Sequence, residues 1–470
     1  MRIGGLVLTL SQDVEGAWYI EGLPRRGEGF NVDPLLCSIA YLRVVNVTGV
    51  DVEVKGRQKH YHLTNQHDRP FILLADGSDK SLSMPLLFQP PDKDSRGFEL
   101  LGRYRGDPRK PARFSADLYL QLPTIELADF VPVALSSTLR ELSVEGEFWL
   151  NWNAGEFLFH ALPKIDKVRI RHGNDDAVVF SNGSASLVAS GKSLENIELY
   201  VRELSGMVGA VPWSLPELYV GIAGTMDDPA IAAYVPAVDI DQSVRAVLSL
   251  AGTADLIPES GRMTLASISP GGVLEDLVIS KSPASLEQEV KVSARMVAVH
   301  MDSWGGLPSI SSLNGFFSGS SASGHLDIHN DRFEIDFANL FPEPWPFDFA
   351  RGRIHYAISS GFVQVRSDLI ELIDGKLRAG GRFHLNLPED LASRTWGLEV
   401  GITDGDLVNS TRYLPHTLPG NLAEWLGRSV QGGVADTAGL LFHGPLGKEA
   451  PRPGKVYELF FDVKDSTLDY

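Results

Sequence analysis

The sequence predicts an all-β protein with few short helices. Apolar and polar residues alternate over four to eight residues in segment after segment, which is the period of a strand with one buried face. Gly (46 residues) and Pro (28) punctuate those segments, as numerous hairpin connections require. Helical spacing, by contrast, is confined to a few stretches. Apolar content is 43%, typical of folded protein rather than a disordered chain.

The alternating segments run the length of the chain. Leu6, Leu8 and Leu10 open it, followed by a turn at 13–16 and a return through 17–23. Next come Val50, Val52 and Val54, then Leu118, Leu120 and Leu122, then Phe148, Leu150 and Trp152, then Ile197, Leu199 and Val201. The later sets are Leu326 and Ile328; Phe333, Ile335 and Phe337; and Ile354, Tyr356 and Ile358, which a Ser-Ser-Gly turn links to Val363 and Val365. Phe383, Leu385 and Leu387 precede Leu398, Val400 and Ile402, and Tyr457, Leu459, Phe461 and Val463 come last. Each set predicts one greasy strand face.

Helices are expected in three places, as linkers or lids. Residues 127–142 contain Pro132, so any helix there is short or broken. Residues 239–256 place Val244, Val247 and Leu248 on one side. In 418–430, Asn421 is the expected N-cap, with Leu422, Trp425 and Leu426 on one face. No motif of 20–50 residues repeats. At about 15 residues per strand and turn, the chain supplies on the order of 30 strands, roughly 140 Å of sheet at about 4.8 Å spacing. Two architectures fit: several sandwich domains, or one long curved antiparallel sheet.

The formal charge of −18 argues against nucleic acid and against simple adhesion to anionic lipid. Arg103, Arg105, Arg109, Lys110 and Arg113 cluster, but Asp107 and two prolines interrupt them, and the group reads as a solvated loop. The lone cysteine, Cys37, sits in an apolar run and reads as buried and inert; one thiol fits a reducing compartment or an envelope protein without bridges. No stretch approaches the roughly 18 apolar residues of a membrane helix, and no signal-peptide pattern opens the chain. Both ends read as cut through β structure, so any membrane anchor is expected outside this piece.

No reactive pattern emerges. HExxH, CxxC, Walker and GxGxxG patterns are absent, and the serines of 319–324 fail the nucleophile-elbow spacing and read as a turn. His60, His62 and His67 could share a metal, yet nothing beyond Asp68 completes a ligand set, so a solvated hairpin is expected. The Asp175–Asp176 and Asp227–Asp228 pairs sit in turn contexts and point apart. Neither metal nor cofactor is expected.

Residues 295–470 carry more specific phrases, the sharpest over 413–446: a Tyr413-Leu414-Pro415 start, the Trp425-Leu426 pair and the following Gly. This half resembles the YhdP family, AsmA-like proteins of the Gram-negative envelope, and residues 1–294 fit its upstream half in layout. Tyr356 stands where the family usually has tryptophan. The resemblance implies a repeating β-groove: a long, twisted, mostly antiparallel sheet curled into a U-shaped hydrophobic trough. One continuous array over 1–470 is expected, with sub-blocks 1–126, 143–294 and 295–470 separated by the helical segments. It also implies phospholipid cargo carried between inner and outer membranes across the periplasm, in a protein anchored in the inner membrane. The candidate lining is then the more apolar strand faces: Phe148, Leu150, Trp152, Leu326, Ile328, Phe333, Ile335, Phe337, Ile354, Tyr356, Ile358, Val363, Val365, Phe383, Leu385, Leu387, Leu398, Val400, Ile402, Leu459 and Phe461. A structural or regulatory envelope protein assisting outer-membrane assembly is the alternative, with an enzyme on a β scaffold a distant third.

Overall fold

A computed structural model of the chain describes residues 2–12, 18–22, 44–56, 60–66, 69–76, 78–89, 94–107, 110–128, 139–172, 175–192, 196–224, 228–250, 259–283, 289–304, 308–337, 341–390, 393–408, 412, 420–445 and 454–469. The fold is all-β, with three α-helices and one 3₁₀ turn among the described residues. The chain divides into two compact units: residues 1–231 with 245–258, and residues 232–244 with 259–470.

The first unit begins with seven short strands: β1 (Arg2–Ile3), β2 (Leu6–Gln12), β3 (Trp18–Ile20), β4 (Val44–Val47), β5 (Val50–Lys55), β6 (His60–Asn65) and β7 (Phe71–Asp76). Eight longer ones follow: β8 (Asp79–Gln89), β9 (Arg96–Arg105), β10 (Ser115–Glu126), β11 (Leu139–Asn153), β12 (Glu156–His172), β13 (Asp175–Lys192), β14 (Asn196–Val208) and β15 (Val211–Ala223). From β8 to β15 each strand pairs antiparallel with the next. At the start of the unit β1 and β4, and β2 and β5, pair in parallel. Here lies a closed core of Val45, Val47, Val50, Leu73 and Leu86, beside a second cluster of Val54, Tyr61 and Phe88. Tyr61 stacks on Phe88 with centroids 5.3 Å apart and donates its hydroxyl proton to the Glu126 carbonyl at 3.2 Å.

Strand β16 (Ala230–Asp239) leads into α1 (Ile240–Leu250). The second unit continues with α2 (Glu259–Ile268), β17 (Gly271–Lys281), β18 (Val290–Met301), β19 (Ser309–Ser320), β20 (Ser323–Asp336) and β21 (Trp345–Ser359). It ends with β22 (Phe362–Ser367), β23 (Ile370–Asp374), β24 (Leu377–Pro388), β25 (Thr395–Asp406), α3 (Gly420–Ser429), β26 (Val430–Pro445) and β27 (Val456–Leu468). Antiparallel pairing runs from β17 through β21. Two short strands, β22 and β23, lie end to end between β21 and β24. The order β24, β25, β26, β27 completes the sheet of this unit. At the break between β22 and β23, the Ser367 hydroxyl accepts the Phe383 N–H at 2.9 Å and Asp368 N–H donates to the Arg353 carbonyl at 2.8 Å.

The long strands of both units are bulged. Non-glycine residues adopt positive φ at Asn182, Glu203, Asp276, Ala298, Ser312, Arg332, Asp404 and Asp465, each inside a strand. Such residues are uncommon in strands, and the bulges they make bend a sheet and increase its twist. In β18 and β19, backbone groups at the bulges are taken up by side chains from the next strand. Asn314 Oδ1 accepts the N–H of Ala298 at 2.9 Å, and Asn330 Oδ1 accepts the N–H of Asn314 at 2.6 Å while its amide donates to the Ser312 carbonyl. Asn330 is fully buried for this reason.

Two expected helices appear, as α1 and α3, and α2 appears where none was expected. Helix α3 starts at Gly420, so Asn421 lies in its first turn rather than capping it. In 127–142 the described ends are strand or its flank, and 129–138 lie outside the described residues. Asp175 and Asp176 open β13 instead of forming a turn. Arg103 and Arg105 belong to β9, where Arg105 pairs with Asp79 directly across the ladder in β8; the expected loop is strand there because Tyr104 faces inward between them. Cys37, His67 and Asp227 lie outside the described residues.

Replacing Asn330 by Leu should leave the backbone N–H of Asn314 unpaired and the Ser312 carbonyl with only the Asn314 side-chain amide, at 3.4 Å. We expect a loss of about 1–3 kcal/mol in urea denaturation of the chain, against a near-neutral Asp331→Asn control.

Candidate functional site

Residues directly opposite in a ladder project to the same side, so registers show which side chains share a face. In the first unit one row crosses ten strands: Val45, Leu73, Leu82, Gly102, Leu118, Leu150, Phe159, Ala189, Leu199 and Val220. Every member is apolar or glycine. A parallel row runs Met84, Leu100, Leu120, Phe148, Ala161, Leu187, Val201 and Leu218. A third runs Lys80, Tyr104, Ala116, Trp152, Phe157, Gly191, Ile197 and Ile222. Phe148, Leu150 and Trp152 thus stand in three adjacent rows of one apolar face. Lys80 brings a cation into the third row, its ammonium 5.7 Å from the Tyr104 ring centre. Burial pushes the Tyr104 phenol up to about 12 and lowers the Lys80 ammonium.

The second unit repeats the arrangement. Ile279, Val292, Gly319, Gly324, Tyr356, Val365, Leu385, Trp396 and Gly444 form an unbroken row over nine strands. Beside it run Ala294, Phe317, Leu326, Ile354 and Ser367, then Phe383, Leu398 and Phe442. Ile328 faces Gly352; Ile358, Val363 and Leu387 line up; Val400 leads to Leu440 and Leu459, and Ile402 to Ala438 and Phe461. From Leu326 and Ile328 to Leu459 and Phe461 the candidates of this unit therefore share one face. Phe333 and Ile335 lie past the positive-φ residue Arg332, opposite Phe347 and Trp345, and the Phe337 ring meets that of Trp345 at 5.3 Å.

Most of these side chains are half-buried rather than buried. Closed packing is concentrated in β1–β9; beyond them, only scattered members of the rows, such as Ala161, Val201 and Phe442, fall below a tenth exposed. Ile358 is 45% exposed, and on the last strand Leu459 and Phe461 reach 69% and 67%. Those three are more open than the alternation suggested, because β27 has no described neighbour beyond it and Ile358 borders a turn. Trp396, Phe442, Phe157 and Phe159 join the faces without having stood out in the sequence.

Aromatic rings lie flat across glycines of neighbouring strands. Tyr356 covers Gly324, where an added Cβ would fall 2.6 Å from its ring, and reaches over to donate to the Ser320 carbonyl at 2.6 Å. Its ring is parallel to that of Phe317, at 6.2 Å and 3°. Phe157 lies over Gly191 in the same manner. On the opposite face of the second unit Asp327 pairs with Arg353 and Arg382 with Glu399, and the guanidinium of Arg353 holds the Asp327 carboxyl below its usual range. No group of three or more metal-ligating side chains occurs among the described residues.

The YhdP protein family matches residues 91–470. The chain belongs to the YhdP family. The intermembrane phospholipid transporter YhdP of Escherichia coli (strain K12) is 24% identical over 205 residues, covering 42% of this chain and 16% of that protein. The YhdP-family chain thus aligns with a small part of that relative. No solved structure matches at a significant level. No helix of the described residues is long and apolar enough to cross a membrane.

Gly324→Val should collide with Tyr356 and with the Gly319 backbone. Overpacking of this kind costs about 1–3 kcal/mol, read as a lower thermal midpoint. Combining it with Tyr356→Ala should recover part of that loss if the ring is what the glycine accommodates.

Proposed function

We propose that the apolar faces carry phospholipid acyl chains, and that the chain forms part of an intermembrane phospholipid transporter of the envelope. The observation that carries the reading is that rows run apolar from strand to strand over nine and ten strands, the ten-strand row being closed at Val45 and Leu73 and half-buried from β8 to β15. A sheet whose greasy side is left largely open, with Lys80 beside the Tyr104 ring as the charged member of these rows, suits a guest made of hydrocarbon. The family relationship, and the name of the relative, support the same cargo.

The energetics favour such a face. A two-chain phospholipid exposes roughly 30 methylenes, worth on the order of 20–25 kcal/mol in water at about 0.8 kcal/mol each. An apolar floor removes most of that barrier while the headgroup stays hydrated. Val365, Leu385 and Leu398 offer contacts of similar strength to any aliphatic chain, so successive positions differ little in energy and lipid slides. Rings laid over glycines, as Tyr356 over Gly324, present a level floor. In this reading lipid crosses the periplasm between the inner and outer membranes, with both membrane contacts made by parts of the protein beyond these residues.

A charge on the face should stop passage. Ile354→Asp and Leu385→Lys are expected to fold, since both positions are half-buried, and to lower transfer of fluorescent phospholipid between donor and acceptor vesicles at least about tenfold, the penalty of an unpaired ion in hydrocarbon being several kcal/mol. Native mass spectrometry should find co-purifying phospholipid on the unaltered chain and less on the variants. Unchanged transfer with either variant would refute the proposal.

A further inference from the structure

The side of the first unit that faces away from the apolar rows carries its own stripe. Leu101, Tyr119, Trp149, His160, Val188, Tyr200 and Tyr219 stand opposite one another on β9 to β15. Tyr119 meets Trp149 at 5.5 Å, Trp149 stacks on His160 at 5.0 Å, and Tyr200 stacks on Tyr219 at 4.3 Å. Leu158 and Leu162 flank the stripe at 51% and 42% exposed, and Tyr219 itself is 40% exposed. Cross-strand ring pairs alone would stabilise the sheet, but they do not account for two open leucines beside them on a face that should be polar.

The flanking rows give the charge. On one side stand Glu99, Gln121, Glu147 and Leu162, with Arg202 and Glu217 continuing that side on β14 and β15. On the other stand Arg103, Asp117, Asn151, Leu158, Ser190 and Glu198. Five carboxylates thus border the stripe against the guanidiniums of Arg103 and Arg202, and one of the five, Glu99, is paired with a third guanidinium, that of Arg69, at 2.8 Å. Arg202 already lies over the Tyr200 ring at 6.0 Å, so a guanidinium-on-ring contact is made here within the chain itself.

We propose that this aromatic stripe docks a lysine- and arginine-bearing amphipathic segment of a partner protein. Aromatic faces and surrounding carboxylates are complementary to such a segment in both apolar contact and charge. A second copy of this chain would bring the same acidic border and a net charge of −18, and an anionic lipid surface is repelled for the same reason. The stripe lies on the opposite face from the acyl-chain rows, so its test is independent of the transport reading.

The test is fluorescence anisotropy of the full chain with a short labelled peptide of alternating lysine and leucine. An otherwise identical glutamate–leucine peptide and a neutral chito-oligosaccharide serve as comparison probes. The lysine peptide should bind, and Leu158→Ser with Leu162→Ser should weaken it at least about tenfold. Glu147→Lys with Glu198→Lys should do the same, whereas Asp331→Lys with Glu334→Lys, an equal change of charge on the other unit, should not. Circular dichroism and thermal melting should leave all three double variants folded, their positions being at the surface. Equal loss in the Asp331/Glu334 control would reduce binding to bulk charge and overturn the proposal. So would unaltered binding to the leucine variant, no binding of the lysine peptide, or tighter binding of the glutamate peptide or the oligosaccharide.

Discussion

Cross-strand register is the constraint on which the rest of this protein depends. Alternation in one strand gives it a greasy side, but only pairing in phase gives a greasy surface. A slip of one residue between β24 and β25 would place Arg382 and His384 among Leu398 and Trp396. Register shifts interrupt most of the long ladders, but between them the pairing stays in phase over the stretches that carry the apolar rows. The same phase sends Asp327, Arg353, Arg382 and Glu399 to the other side, where ion pairs sit in water and contribute little to stability.

Bulges would break that phase if their consequences were left unattended. The asparagines at 314 and 330 show how the sheet bends and keeps its rows. A residue with positive φ turns the backbone, and a side chain from the next strand takes the hydrogen bond that the turn releases. Buried polar groups here serve geometry rather than chemistry. The rows themselves carry hydrocarbon, aromatic rings and glycine, with Lys80 and Ser367 as polar members.

Much of this was legible in the sequence because alternation is a local signal. Leu326, Ile354 and Leu385 declared their face from their own neighbours. The strand Glu156–His172 did not declare Phe157 and Phe159, because Leu158 and Leu162 are apolar on the reverse side and blur the period. Parallel pairing of β2 with β5 joins segments about forty residues apart, and no local rule reaches that far. Helix α2 escaped notice because Gly261 lies inside a short, weakly patterned run. The family phrases of 413–446 were readable as words, although 413–419 lie outside the described residues.

The division of one rung into β22 and β23 has a mechanical side. Every other long rung of the second unit is a single strand, whereas β21 and β24 are joined by two pieces with Asp368 and Leu369 between them. A Ser367 hydroxyl and the Asp368 amide stitch the gap where a continuous ladder would supply several bonds. Ladder hydrogen bonds resist local opening of a sheet, so a rung made of two pieces gives this unit a hinge line that its unbroken rungs lack.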